Sequence, residues 1–442
     1  ARPPPYVPPK WDGVAPISVH AVKGGARAFV MAYGIRGGMA MLLKIVAVLR
    51  RRCVWGEGRT IPQVFTSFFS TESRRFASVV GSFTFLWKFT NNLIHHYTGR
   101  QSRWNGAVAG TVAGLSILFE EKENRKALAS QFCMRGLQAA YNALNVHREL
   151  RIPHGDSLLF SIACGSVMYA FIMQPKVRVG VDYAWISKTA RIPSRNLAFN
   201  RENVRAWEHS PNVPPKIDVT EMLACIDNNK PLAVPAMRAR ALEYVDAHGG
   251  AMPIVPCSVL HPSDTSCIKF SAKLWYRTAL GIWPVYAALN FVPLVVLKSG
   301  ALINNPKTHL ARVAHSTLRS TLFLSTFVQT YMNLVCLERA AVDRWGIISR
   351  DRRVWYYISG LLCACSIFLE NPARRAELAM YVLPKGMMSL WRVSYNRGRM
   401  FRIPFFEVYA GAAAMGMLMS VYQTEPHLMS SLLFKVMEKI LG

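Results

Sequence analysis

Acidic residues are the scarce class in this sequence. Aspartate and glutamate number 25 against 53 lysines and arginines in 442 residues, for a formal net charge of +28 and a pI near 10.1. Four apolar blocks, 26–49, 77–97, 268–298 and 314–337, contain no acid at all. A solute carrier that binds a coupling cation within the membrane has little to work with here. Also missing are a P-loop, a dinucleotide fingerprint, a nucleophile elbow and a metalloprotease helix, so nothing assembles the parts of an enzyme active site and no cofactor is implied. The nine cysteines are odd in number, and Cys133, Cys164, Cys336, Cys363 and Cys365 fall inside apolar blocks, which excludes a disulfide framework and leaves reduced, mostly structural thiols. The opening residues, Ala1-Arg2-Pro3-Pro4-Pro5, read as a Pro-rich arm of polyproline character rather than a secretory signal.

What is abundant is apolar surface, 51% of all residues, in blocks separated by short Arg-rich joints. A soluble chain this apolar would alternate its hydrophobic positions; continuous blocks are what a helix needs to satisfy its own backbone in lipid. Ten blocks qualify: 26–49, 77–97, 104–119, 126–146, 156–173, 268–298, 314–337, 354–369, 376–394 and 406–423. The expected fold is all-α, a multi-span transmembrane helical protein. The cations gather at block ends, as at Arg50-Arg51-Arg52 and Arg352-Arg353. There they suit anionic headgroups, at about 1 kcal/mol each, and the placement speaks for membrane lipids and against nucleic acid as partner.

The blocks repeat. Shifting by 250 residues lays Gly110, Ser116, Ile117, Glu120, Arg125, Leu128, Ala129 and Gly136 on identical residues at Gly360, Ser366, Ile367, Glu370, Arg375, Leu378, Ala379 and Gly386. Shifting by 251 lays Arg151-Ile152-Pro153 on Arg402-Ile403-Pro404. The expectation is two homologous halves of four to five helices each. The chain then divides into a Pro-rich arm (1–25), a first helical repeat (26–174), a Pro-punctuated polar linker with short surface helices (175–265), a second repeat (266–426) and an amphipathic C-terminal helix (427–442).

Within the repeats, Gly106, Gly110 and Gly114 recur every fourth residue and so line one helix face, where they permit close backbone approach. With Gly136, Gly360 and Gly386 they make a helix-packing set. Arg135 and Lys385 occupy matched positions about halfway along a helix. An intramembrane cation there either faces a cavity that receives lipid or a partner, or pairs with the matched helix-end acids Glu120 and Glu370. Cys257-x3-His261-x5-Cys267 invites a metal reading, but structural zinc takes four ligands and only three converge. The alternative is a Pro-bent approach to a helix capped by Asp264 or Thr265.

The cation-rich turn Gly99-Arg100-Gln101-Ser102-Arg103, followed by Trp104-Asn105 and the Gly-spaced helix, resembles the mitochondrial inner-membrane preprotein translocase (Tim) family, and the turn Arg339–Arg353 carries a matching Arg-x3-Asp at Arg339 and Asp343. Pro256-Cys257-Ser258-Val259-Leu260-His261-Pro262-Ser263-Asp264-Thr265-Ser266-Cys267 and Ile152-Pro153-His154-Gly155-Asp156-Ser157-Leu158-Leu159-Phe160 more closely resemble the transmembrane protein 135 family. That resemblance implies a non-enzymatic organelle-membrane protein that organises or handles lipid, with bound anionic phospholipid such as cardiolipin. It places the chain in the mitochondrial inner membrane, with the peroxisomal membrane as alternative. The acid-free blocks depart from the acidic cavity of protein-conducting Tim members. A second reading is an accessory structural subunit of a large inner-membrane assembly such as a respiratory-chain complex. Other membrane subunits would then contact the arm and linker.

Overall fold

A computed structural model describes residues 9, 11–50, 65–146, 153–173, 186–187, 189, 193–210, 212–227, 235–297, 299–399, 403–429 and 431–441. The Pro-rich opening, Arg51, Arg52 and the Arg151-Ile152 pair lie outside them. The described residues form sixteen α-helices and no strand. In order they are α1 (Val14–Arg50), α2 (Thr71–Thr98), α3 (Arg103–Gly114), α4 (Lys122–Val146), α5 (Gly155–Met173), α6 (Ser194–His209), α7 (Val219–Asp227), α8 (Pro235–Ala247), α9 (Cys257–Leu260), α10 (Cys267–Leu297), α11 (Ser299–Asn304), α12 (Pro306–Asp343), α13 (Arg353–Cys363), α14 (Pro372–Asn396), α15 (Phe406–Thr424) and α16 (Ser431–Leu441).

Local chemistry sets these limits. Ser70, extended, accepts the Ser73 N–H at 3.2 Å to open α2; Gly99, at φ 62, closes it by returning its N–H to the His95 carbonyl at 2.9 Å. Both α3 and α13 tighten into 3-10 turns, Leu115–Phe119 and Ala364–Leu369, that end at Glu120 and Glu370. Their last carbonyls are left without helical partners, and a matched arginine takes them. Arg125 donates to Leu118 O at 3.0 Å and Glu120 O at 2.8 Å; Arg375 donates to Phe368 O at 3.0 Å and Glu370 O at 3.3 Å.

The chain divides into two compact units. Unit 1 comprises residues 1–153 and 402–442, and unit 2 comprises 154–401. In unit 1, α1 pairs with α2, and α15 packs on α3 and α4 around Phe83, Trp87, Ala109, Ala113, Met415 and Met419. In unit 2, α10 pairs with α12, and α5 packs on α13 and α14. The sequence boundaries at 174 and 266 are therefore not unit boundaries: α5 belongs with unit 2 and α15 with unit 1. The glycines give the reason. A Cβ on Gly106, Gly110 or Gly114 would stand 2.6–2.7 Å from atoms of Gln423, Met419 or Ala412 on α15, and one on Gly136 would strike the Ala414 carbonyl. One on Gly360 or Gly386 would stand 2.9 or 2.8 Å from Gly165 or Ala163 on α5.

The segment anticipated as a linker with surface helices is more than that. Helices α6 to α9 bury Phe199, Met222, Cys225, Ile226, Ala241 and Tyr244 in a small core of unit 2. Cross-links to backbone fix it: the Tyr244 hydroxyl donates to Ile254 O at 2.6 Å, Trp207 Nε1 to Pro253 O at 3.0 Å, and the Asn196 amide to Val259 O.

Among the described residues two helices, α5 and α12, are long and apolar enough to cross a membrane. The sequence reading anticipates more. Helices α4 and α14 are among those that do not qualify, and each carries a cation near mid-length, Arg135 and Lys385.

Candidate functional site

Helix α5 is apolar around most of its circumference and buries Phe160, Cys164, Met168 and Phe171 in unit 2. Helix α12 turns Phe323, Phe327 and Tyr331 towards it; the Phe160 ring lies 5.9 Å from Phe323 and 6.5 Å, edge-on, from Phe327. Between these helices and α14 is a cavity of about 470 Å³. That volume falls in the range of about 300–1,000 Å³ usual for small-molecule sites. Polar groups break its apolar wall at a few points, Tyr331 and the Lys385–Tyr381 pair among them. The Tyr331 hydroxyl is buried and finds no hydrogen-bond partner among the described residues. Lys385 donates its ammonium to the Tyr381 hydroxyl at 2.9 Å, and the same ammonium lies 4.2 Å from the Tyr381 ring centre, a cation–π distance. An apolar lining with one fixed cation can bury a hydrocarbon chain and hold an anionic group at its end.

The other matched charges lie elsewhere. Arg135, half-buried on α4 in unit 1, donates to Gln138 Oε1 at 3.1 Å rather than pairing with Glu120. The buried Glu120 carboxylate accepts from the Glu121 N–H at 3.1 Å and the Asn124 amide at 3.2 Å. Glu370 is buried in unit 2, where it accepts from Ser320 Oγ at 2.6 Å and the Asn371 N–H at 2.9 Å, with Arg374 3.9 Å away. These acids close helix ends.

Cys257, His261 and Cys267 do come together, and a fourth residue joins them. Cys336, delivered by α12, completes a group whose ligating atoms all lie within 4.8 Å of one another. His261 Nδ1 lies 3.0 Å from the Asp264 carbonyl oxygen, Nε2 lies 3.3 Å from Cys267 Sγ, and the ring stacks on Phe270 at 4.8 Å. The N-cap of α10 is Ser266, whose carbonyl accepts the Phe270 N–H, in place of Asp264 or Thr265; Asp264 instead receives Lys273 at 3.3 Å. Burial lowers the basicity of His261, but hydrogen bonds with Cys267 and Cys336 outweigh it and hold the pKa up to about 10. Hydrogen bonds from Cys257, Cys336 and His261 hold the Cys267 thiol far below its usual range.

One buried network escapes the sequence reading. Arg339, the first residue of the Arg-x3-Asp motif, donates to Asn200 Oδ1 at 2.7 Å and Val335 O at 2.9 Å. Asn200 donates to the Tyr356 hydroxyl at 2.8 Å, which donates to Asp351 at 2.9 Å. Burial raises the Asp351 carboxyl above the usual carboxylate range, against the pull of Arg339. Asp343 faces His248 at 3.4 Å. Asn200 belongs to a polar helix of the presumed linker, and nothing in its neighbours marks it as buried.

No family model, curated protein or solved structure matches this chain.

Proposed function

We propose that this chain is a non-enzymatic organelle-membrane protein in which unit 2 holds an acyl chain of an anionic phospholipid. In this reading Lys385 meets the headgroup, and the membrane is the mitochondrial inner membrane, or else the peroxisomal one. The observation that carries the proposal is the cavity walled by Phe160, Phe323 and Phe327 with the Lys385 ammonium on its edge. Further support for a lipid surround comes from side chains exposed along the long helices: Val30, Ile35 and Met39 on α1, and Leu280, Trp283 and Leu289 on α10. Apolar surface of that extent is unusual on a water-soluble monomer.

Two homologous halves remain part of the proposal, and three correspondences favour them. The 3-10 turns after α3 and α13 coincide under the 250-residue shift, as do the Arg125 and Arg375 hydrogen bonds. Among the described residues, the non-glycine positions with positive φ are His154 at 55 and Phe405 at 58, which coincide under the 251-residue shift. The resemblance of the Cys-His and Ile-Pro-His stretches to the transmembrane protein 135 family agrees with lipid handling.

Phospholipid retained by the full chain in mild detergent, measured by mass spectrometry, tests this. Phe327→Trp fills the cavity and should cut retained phospholipid at least about threefold; Lys385→Glu should deplete anionic species selectively, by charge repulsion. Unchanged retention in both variants, with stoichiometric membrane subunits travelling alongside, would transfer the case to the accessory-subunit reading.

A further inference from the structure

We propose that Cys257, His261, Cys267 and Cys336 form a structural zinc site that ties the 194–261 segment of unit 2 to helices α10 and α12. The donor set is the first argument. Three thiols and one imidazole are a complete Cys₃His set for tetrahedral zinc, with no position left open for substrate, which is the mark of a structural site. Tetrahedral zinc with Zn–S near 2.3 Å separates its sulfurs by about 3.7 Å. All four donor atoms already lie within 4.8 Å of one another, so small rotations about the cysteine χ1 bonds complete the geometry.

Orientation is the second argument. His261 is 2% exposed, and its ring is held on both sides: it stacks on Phe270, and Nδ1 is directed at the Asp264 carbonyl. A carbonyl can only accept, so Nδ1 carries a hydrogen, and Nε2 is the ring nitrogen that faces the thiols and would ligate the ion on giving up its proton. This is the outer hydrogen bond that fixes a zinc-ligating histidine. The third argument is charge. Arg339 adds positive charge beside Cys257, offsetting the net negative charge that three thiolates leave around a divalent ion. A cleft of about 1290 Å³, with Arg240, Gln329 and Asp343 among its lining residues, opens onto the cluster and gives an ion its path in.

The topology shows what the ion would do. Cys257 opens α9, His261 ends it, Cys267 opens α10, and Cys336 sits near the end of α12. One ion would therefore clamp three separately delivered elements of unit 2.

The test is the zinc content of the full chain, purified in mild detergent without chelator and measured by elemental mass spectrometry. The expected result is about one zinc per chain for the parent and for Cys133→Ser, a control thiol in unit 1, against less than about 0.2 for Cys336→Ser and Cys267→Ser. Should those variants fail to fold, the parent chain alone decides. Stoichiometric zinc release on titration with a mercurial, and a thiolate-to-cobalt charge-transfer band with tetrahedral d–d absorption after exchange with Co²⁺, are then the expected outcomes. A parent chain with less than about 0.2 zinc that gives no such cobalt spectrum overturns the proposal. So does a Cys257–Cys267 disulfide in non-reducing peptide mapping.

Discussion

A β-carbon on Gly136 would collide with the Ala414 carbonyl, while one on Gly281 would meet nothing within 4 Å. Gly136→Val should therefore destabilise unit 1 by about 1–3 kcal/mol or more, because backbone cannot move aside as a flexible side chain can. Gly281→Ala should be neutral or stabilising by up to about 1 kcal/mol, as an unpacked helical glycine replaced by the best helix former. Denaturation midpoints of the two variants in the same detergent check both, and a tolerated valine at 136 would count against the packing role. Gly106, Gly110 and Gly114 are legible in sequence because a spacing of four maps onto one helix face without knowledge of the partner, whereas Gly136 is marked by its match to Gly386. Cys336 is the opposite case. It lies 69 positions beyond Cys267 (336 − 267), inside an apolar block, where a cysteine reads as a small hydrophobe. Only the return of α12 past the start of α10 turns three ligands into four.

At the scale of elements, the apolar blocks place the helices well and their ends poorly. The block 314–337 becomes α12, Pro306–Asp343, and 26–49 becomes α1, Val14–Arg50. Hydrophobicity marks what is buried or lipid-facing, whereas helices continue through polar turns to their caps, here Pro306 in the first turn and Gly99 at φ 62. Short helices are anticipated in the 194–261 segment, but the core they share is not, since their apolar stripes are only a few residues long. The surface of that segment offers a prediction of its own. Arg195 on α6 grips Glu221 on α7 through two hydrogen bonds of 2.8 and 2.7 Å, and this holds the Glu221 carboxyl below its usual range. A carboxyl with a lowered folded pKa stabilises fully above its ordinary value of 4.5 and loses that contribution as pH falls through the lowered value. Protection of α6 and α7 amides, corrected for intrinsic exchange, should fall as pH is taken from about 6 to about 3. In Arg195→Ala that fall should shrink. Both side chains are more than a third exposed, so the effect should also diminish in high salt.

At the scale of the molecule, the sequence shows which segments resemble each other but not which pack together. Similarity between segments is silent about which compact unit a helix packs in. The contact units answer that for α5 and α15, and the answer has a consequence for truncation. Ending the chain at 401 removes α15 and α16 from unit 1, which leaves Gly106, Gly110, Gly114 and Gly136 facing no helix and uncovers Trp87, Ala109 and Ala113. Every helix of unit 2 is retained. Hydrogen exchange on the truncated chain should therefore show α3 and α4 losing protection by an order of magnitude or more, roughly 1.4 kcal/mol for each factor of ten. Protection of α12 and α13 should stay close to that of the full chain. If the last helices instead packed within their own sequence repeats, the loss would fall on α13 and α14. Unit 1 would then keep its protection. The two patterns are mutually exclusive, so one exchange map of one truncated chain decides which helix completes which unit.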